Sequence, residues 1–291
     1  MKRVLVLGNN GMLGSMVSHV LNQNGHNVLN TNRSGVGESY PFTVGNDSIR
    51  TLLEGFSGLD YIVNAIGVIK PRIDESDPQS RVNAININAM FPHELARAVE
   101  HLSIPVIQIA TDCVYSGSVG SYSEDALHDP TDIYGKTKSL GEVPSNKFLH
   151  LRASIIGPEI GRQTSLWEWV RSQPKNASIN GFTNHYWNGV TTYHFGLICN
   201  GIISSSLEIN GKHHLVPTGR VTKAELVRSI AKKSQRDDIV INDAEASDAV
   251  DRTLSTNNEV LNRQLWSVAG FDTAPTVEEM VSSVPLDFQM N

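Results

Sequence analysis

Short apolar runs alternate with amphipathic stretches along the first half of the chain. Val4–Leu7 is an uninterrupted apolar run suited to a strand buried on both faces. Met12–Asn24 then places Leu13, Met16, Val17, Val20 and Leu21 at helical spacing. Asn27–Thr31 predicts a second strand, Asp47–Gly55 a helix and Asp60–Ala65 a third strand. Ala84–Leu102 predicts a long helix, Pro105–Ala110 a buried strand, Asp132–Val143 a helix and Leu149–Arg152 a further strand. Parallel strands need crossover helices, so this rhythm predicts an α/β fold, a doubly wound parallel sheet covered on both faces.

The rhythm changes after about residue 155, where Trp167, Trp169, His185, Tyr186 and Trp187 lie among Gly and Asn residues. A helix over Thr191–Ser205 and a strand near His214–Val216 are expected to return to the sheet. Lys223–Lys233 reads as a helix with Leu226, Val227 and Ile230 on one face. The expected organisation is a main domain over 1–160, rejoined by about 190–220, and a smaller C-terminal substrate lobe from 161–189 and 221–291.

Composition narrows the class. With 40% hydrophobic and 19% charged residues in 291, disorder and membrane embedding are both disfavoured. The 24 Lys and Arg against 30 Asp and Glu give a net charge of -6, which argues against broad nucleic-acid binding. Cys113 and Cys199 make no disulfide framework and no zinc site, which fits a reducing cytoplasm. No apolar run approaches a membrane span, and the short run after Met1-Lys2-Arg3 is no signal-peptide core. His213-His214 lacks a third ligand nearby, so no metal is expected. Asn46-Asp47-Ser48 and Asn176-Ala177-Ser178 match a glycosylation pattern that a cytoplasmic chain does not use.

Gly8-Asn9-Asn10-Gly11-Met12-Leu13-Gly14 follows the first strand and opens the first helix. Glycines there permit a tight turn and close approach of backbone N–H groups to a pyrophosphate. The spacing is G-x-x-G-x-x-G rather than G-x-G-x-x-G. No acid stands at the end of the second strand to take an adenosine 2′-hydroxyl, whereas Arg33 offers forked donors to a 2′-phosphate. NADPH is therefore expected over NADH, with NADH still open. Thr111 and Asp112 follow a strand, and Tyr134 and Lys138 share one helix face four residues apart. A Lys ammonium beside the phenol would lower its pKa, and a Thr hydroxyl would orient a substrate carbonyl.

Three motifs occur in order: Gly8-x-x-Gly11-x-Leu13-Gly14, Thr111-Asp112-x-Val114-Tyr115-x-Gly117 and Tyr134-Gly135-Lys136-Thr137-Lys138-x-x-Gly141-Glu142. Together they resemble the extended short-chain dehydrogenase/reductase superfamily, a Rossmann fold, and within it the dTDP-4-dehydrorhamnose reductase group. The tail matches more weakly, through Thr222-Lys223-x-Glu225-Leu226 and Asp251-Arg252-x-Leu254-Ser255-Thr256. The resemblance implies a catalytic set of Thr111, Tyr134 and Lys138, with Lys138 also holding the nicotinamide ribose. It implies a proton-relay role for Asn88, against the plainer reading of a helix-surface polar residue. Gly8, Asn10, Gly11, Met12, Leu13, Gly14, Asn64, Ala65 and Gly67 would line the cofactor. Asp112, Cys113, Trp187, Asn188 and Arg252 are candidate substrate contacts, Arg252 for a phosphate or ribose. Cys113 stands where that group usually has an aromatic, and Ile155 where it has a Trp, which implies a different nucleotide sugar.

The reading is an NADPH-dependent reductase of a nucleotide-linked 4-keto-6-deoxy sugar in polysaccharide biosynthesis. It leaves room for a homodimer. Two alternatives stand beside it: an epimerase or dehydratase with tightly held cofactor, and a non-catalytic NADP-binding regulatory subunit.

Overall fold

A computed structural model describes residues 1–160 and 165–287. Seven parallel strands form the central sheet. Six are β1 (Arg3–Leu7), β2 (Asn27–Asn32), β3 (Ser39–Pro41), β4 (Tyr61–Asn64), β5 (Val106–Ala110) and β6 (Phe148–Arg152). The seventh, Gly211–His214, pairs with β6 at one edge, and the order across the sheet runs from it through β6, β5, β4, β1 and β2 to β3. The order reverses beside β1, where doubly wound sheets open a crevice at the carboxyl ends of their strands.

Helix α1 (Met12–Gln23) follows β1, and α2 (Ile49–Glu54) lies between β3 and β4. The long helix begins earlier than its apolar spacing predicts. It comprises α3 (Pro78–Ile85), a π-helical turn over Asn86–Met90 and α4 (Phe91–Val99). Asp77 caps α3 by accepting from Gln79 and Ser80, and Pro78 supplies a preset first turn, a start signal that hydrophobic spacing alone overlooks. Helix α5 (Ile133–Leu140) leads to β6. Helices α6 (Leu166–Arg171), α7 (Thr192–Ser205) and α8 (Lys223–Lys233) follow, and α7 packs on α1. An ideal Cβ on Gly196 of α7 would stand 3.0 Å from Val20, so the two helices lie close. The returning strand ends at His214 rather than starting there, because Lys212 and His213 break its apolar pattern.

Beyond the sheet, His185–Trp187 pairs with Val221–Thr222 and Val250–Asp251, and Ser178–Phe182 pairs with Val240–Ala244. One apolar core runs from Val4, Val6 and Val17 through Trp167, Phe195 and Ile202 to Trp266 and Met280. The candidate organisation with a smaller lobe thus shares its core with the sheet. Among the described residues, no helix is long and apolar enough to cross a membrane.

A buried ionic network joins the sheet edge to the C-terminal region. Arg152, 1% exposed, donates to Glu142 from Nε and Nη2 at 2.6–3.0 Å. Its Nη1 donates to the Tyr115 hydroxyl (2.8 Å) and to His214 Nε2 (2.6 Å), and its Nη2 to His128 Nε2 (3.0 Å). Those contacts leave the proton of His214 on Nδ1, which donates to the Ser255 carbonyl at 2.7 Å. Burial lowers the His214 pKa to about 4, so the ring is neutral at pH 7. His214 thus belongs to an arginine network, whereas His213 bonds the Asn210 carbonyl through Nε2 (2.8 Å), and no metal-binding cluster occurs among the described residues.

Candidate active site

The turn after β1 is set by contacts that exclude side chains. Gly8 has φ +84°, a left-handed conformation natural to glycine. An ideal Cβ on Gly14 would lie 2.3 Å from the Gly8 carbonyl oxygen, so α1 meets the turn through bare backbone. Gly8 and Asn9 donate their N–H groups to Thr31 O of β2 (3.2 and 3.0 Å), bracing the turn. Gly11 caps α1 without a side-chain bond, and the first turn holds no acid. The N–H groups of Met12, Leu13 and Gly14 therefore have no acceptor within the helix and sit at its positive end. This donor set fits a dinucleotide pyrophosphate. Asn10 lies exposed on the turn, and Arg33 lies exposed just past β2.

Gly11 and Gly14 are expected to respond differently to substitution. A Cβ on Gly11 stands 3.4 Å from Gly8 O, an ordinary contact, so Gly11→Val should melt like the parent. Its branched side chain should still cut nicotinamide-nucleotide affinity by about 100-fold or more, since at least two charge-assisted bonds are lost. Gly14→Val should instead lower the melting temperature. Fluorescence titration with NADPH alongside thermal melts checks both, and an unchanged affinity for Gly11→Val would remove the phosphate site.

The loop after β4 supplies the next wall. Asn64 is buried, donating to Gln108 Oε1 (2.7 Å) and accepting from Ile66 N (3.1 Å), so its amide shapes the loop. Ala65 and Gly67 line a cavity of about 380 Å³ together with Gly11, Met12 and Leu13. Asn88 sits in the π-helical turn, where its amide exchanges two 2.9 Å bonds with Val68 and donates to Thr137 Oγ1 (3.2 Å). Asn88 is therefore no helix-surface residue: it is 2% exposed, and its amide clamps this loop to α5.

Thr111 follows β5, accepting from Cys113 N and donating to Asp112 Oδ1, both at 3.2 Å. Asp132 caps α5 by accepting from Gly135 N (2.8 Å) and holds Lys70 at 2.8 Å. A Cβ on Gly135 would lie 2.2 Å from Cys113 O, so α5 presses on the 111–113 segment. That contact brings the Tyr134 phenol beside the Thr111 hydroxyl. Lys138 Nζ donates to the Ile109 carbonyl at 3.0 Å. Thr111, Tyr134 and Lys138 all line the same cavity.

Electrostatics here differ from the sequence expectation. Burial, with Cys113, Asp112 and Asp132 adding to it, pushes the Tyr134 phenol well above its ordinary value, and the Thr111 hydroxyl only partly offsets this. Burial also lowers Lys138 to about 8, with Glu142 opposing. The Lys138 ammonium is anchored on a carbonyl, and desolvation outweighs any pull it exerts on the phenol. A raised phenol stays protonated at pH 7, the state a proton donor requires.

Of the substrate candidates, Asp112, Cys113 and Trp187 line the cavity, and Trp187 Nε1 donates to Ser154 Oγ at 2.8 Å. Burial raises the Asp112 carboxyl and pushes the Cys113 thiol up to about 12, which leaves it no nucleophile at pH 7. Asn188 spends its amide on Leu254, donating to O (2.7 Å) and accepting from N (2.9 Å). It borders a separate depression of about 520 Å³ on the C-terminal side, away from Tyr134. Arg252 donates from Nε to Tyr115 O at 2.9 Å and interacts with the Asp112 charge. Sequence reasoning missed Arg72, Ser154, Glu159 and Lys223 in the cavity wall. Lys223 alone carried a signal, since it stands inside a quoted motif.

Comparison with known proteins agrees with this fold. The family model described as RmlD substrate binding domain matches residues 1–158. The chain is 24% identical over 249 residues to the methionine adenosyltransferase 2 subunit beta of Xenopus tropicalis, covering 79% of this chain and 71% of that one. Among solved structures, the dTDP-4-dehydrorhamnose reductase of Bacillus anthracis in complex with NADP superposes with a TM-score of 0.77 at 21% identity, covering 97% and 98% of the two chains. The UDP-glucuronic acid 4-epimerase of Bacillus cereus, bound to UDP-glucuronic acid and NAD, gives 0.72 at 15% identity, with 97% of each chain covered. Over more than half its length the chain matches this family model, and it belongs to the RmlD substrate binding domain family, built on a Rossmann-like parallel sheet.

Proposed function

We propose that the protein is an NADPH-dependent reductase of a nucleotide-linked 4-keto-6-deoxy sugar. The observation that carries this is the convergence of Thr111, Tyr134 and Lys138 on one cavity with the donor-rich start of α1. The cofactor, when bound, supplies a hydride to the sugar C4 carbon. The protein's own residues then manage the oxygen. Thr111 hydrogen-bonds the carbonyl and holds it in line. Tyr134 gives that oxygen its proton, completing a secondary alcohol. Lys138, fixed by Ile109, would hold the nicotinamide ribose. Arg33, exposed with no acid following β2, favours the 2′-phosphate of NADPH.

The epimerase and dehydratase alternatives use the same residues. The regulatory alternative is favoured by the identity to the methionine adenosyltransferase subunit and disfavoured by the complete catalytic set. Incubation of the purified protein with NADPH and a panel of 4-keto nucleotide sugars tests the proposal. Stoichiometric NADPH oxidation with one of them is the expected result. Tight NADPH binding without oxidation of any would favour the regulatory reading.

A further inference from the structure

The loop after β4 touches two parts of the site. Gly67, Val68 and Ile69 line the cavity together with Gly11 and Met12. Directly after Ile69 the chain makes a 3-10 turn over Lys70–Arg72 and runs on to Asp77, the cap of α3. From this segment Lys70 Nζ bonds Asp132 Oδ2 at 2.8 Å, and Glu75 Oε1 accepts from Ile133 N at 2.9 Å. Both partners belong to the start of α5. Asp132 is its cap, with Oδ1 accepting from Gly135 N, and Ile133 is its first residue. Tyr134 comes next. Glu75 is itself held in place, since its carbonyl accepts from Arg81 Nη1 at 2.7 Å and the neighbouring Asp74 N donates to Ser80 Oγ at 2.9 Å.

Helix α5 has eight residues, too few to be stable alone, so its orientation depends on its neighbours. Its first N–H groups have no partner within the helix and need acceptors from outside. Tyr134 lies in that first turn, and any displacement of the turn passes directly to the phenol. The buried side is already fixed. Gly135 presses on Cys113 O, and Asn88 donates to Thr137 Oγ1, which donates in turn to Ile133 O at 2.8 Å. The exposed side of the turn is held by Lys70 and Glu75. An exposed pair of this kind adds little to folding, so its weight falls on where the turn sits.

We propose that Lys70 and Glu75 are positioning residues, which set the Tyr134 phenol against the reacting oxygen by latching the wall of the nucleotide cavity to the first turn of α5. The inference rests on the reductase reading and adds to it how the proton donor is placed.

Single-turnover NADPH oxidation by Lys70→Met combined with Glu75→Ala tests it. Loss of alignment is expected to slow the step by about 10- to 100-fold. The melting temperature and the NADPH affinity stay near the parent values, because Asn88 still clamps Val68. Lys70→Arg combined with Glu75→Gln keeps a cation and an acceptor oxygen and retains most of the rate. In a Tyr134→Phe background, K70M/E75A has no further effect, since the group that the latch aligns is absent. An unchanged rate in K70M/E75A, or an equal loss in the Tyr134→Phe background, overturns the proposal. A second readout needs no substrate. In protein with isotope-labelled tyrosine rings, the Tyr134 resonance, identified by its loss in Tyr134→Phe, shifts or broadens in K70M/E75A and not in K70R/E75Q. A resonance that K70M/E75A leaves unmoved also overturns the latch. Failure of the reductase reading would show differently, as NADPH that the parent leaves unoxidised with every keto sugar while the Tyr134 resonance still responds to K70M/E75A.

Discussion

Tyr134→Phe is expected to slow single-turnover NADPH oxidation by about 10²–10⁴-fold, the usual contribution of a positioned general acid. The ring remains, so packing beside Thr111 and the cap of α5 by Asp132 are retained. NADPH affinity should therefore stay close to the parent value. The structure sharpens the expectation, because burial holds the phenol protonated across the neutral range. The parent rate should accordingly show no fall around neutrality from loss of the Tyr134 proton. A decline with rising pH is expected instead near 8, where Lys138 loses its charge. The sign follows from burial, which disfavours the ammonium and so shifts its deprotonation down from 10.5. A Tyr134→Phe rate equal to that of the parent would place the proton donor elsewhere.

Arg152→Ala is expected to cost about 3–5 kcal/mol of folding stability, because it strands the Glu142 carboxylate without its principal cation. Lys212, 3.7 Å from Glu142 and far more exposed, is a weak substitute. The double change Arg152→Met with Glu142→Gln should recover much of the loss, since a buried ion pair adds little net stability over an uncharged filling. Urea unfolding of the two variants checks this. A loss below about 1 kcal/mol for Arg152→Ala would mean that water reaches the network.

The centre of the sheet was readable in the sequence because β1, β4, β5 and β6 are largely buried and leave apolar runs such as Val4–Leu7, whereas the short, exposed β3 leaves none. The turn into α1 was readable because Gly14 has no room for a side chain. Helix α8 matched its predicted bounds because a cap and an apolar stripe agree there. The early start of α3 was missed because Asp77-Pro78 signals it through capping rather than periodicity. The edge strand was misplaced because Lys212 and His213 are tolerated where one face meets solvent. In the site, motif spacing brought out Thr111, Tyr134 and Lys138. It could not reveal that Lys138 is tied to Ile109, nor that burial dominates the phenol, since both depend on what surrounds the helix after folding. Asn88 and Asn188 looked available as polar residues, whereas backbone partners far away in sequence consume their amides.

The edge strand Gly211–His214 and helix α7 reach the ribosome exit only after six strands of the sheet have been made. Until then Met16 and Val20 of α1 lack Tyr193 and Leu197 against them, and Arg152 lacks His214. At ordinary synthesis rates the 62 residues separating 152 from 214 take roughly 3–12 s to appear. For that interval the nascent chain presents an open strand edge beside an uncovered helix face, the surface that chaperones bind and that neighbouring nascent chains can pair with. Completion of the sheet and burial of its arginine then occur together, so the first 158 residues, the span the family model matches, form an incomplete folding unit.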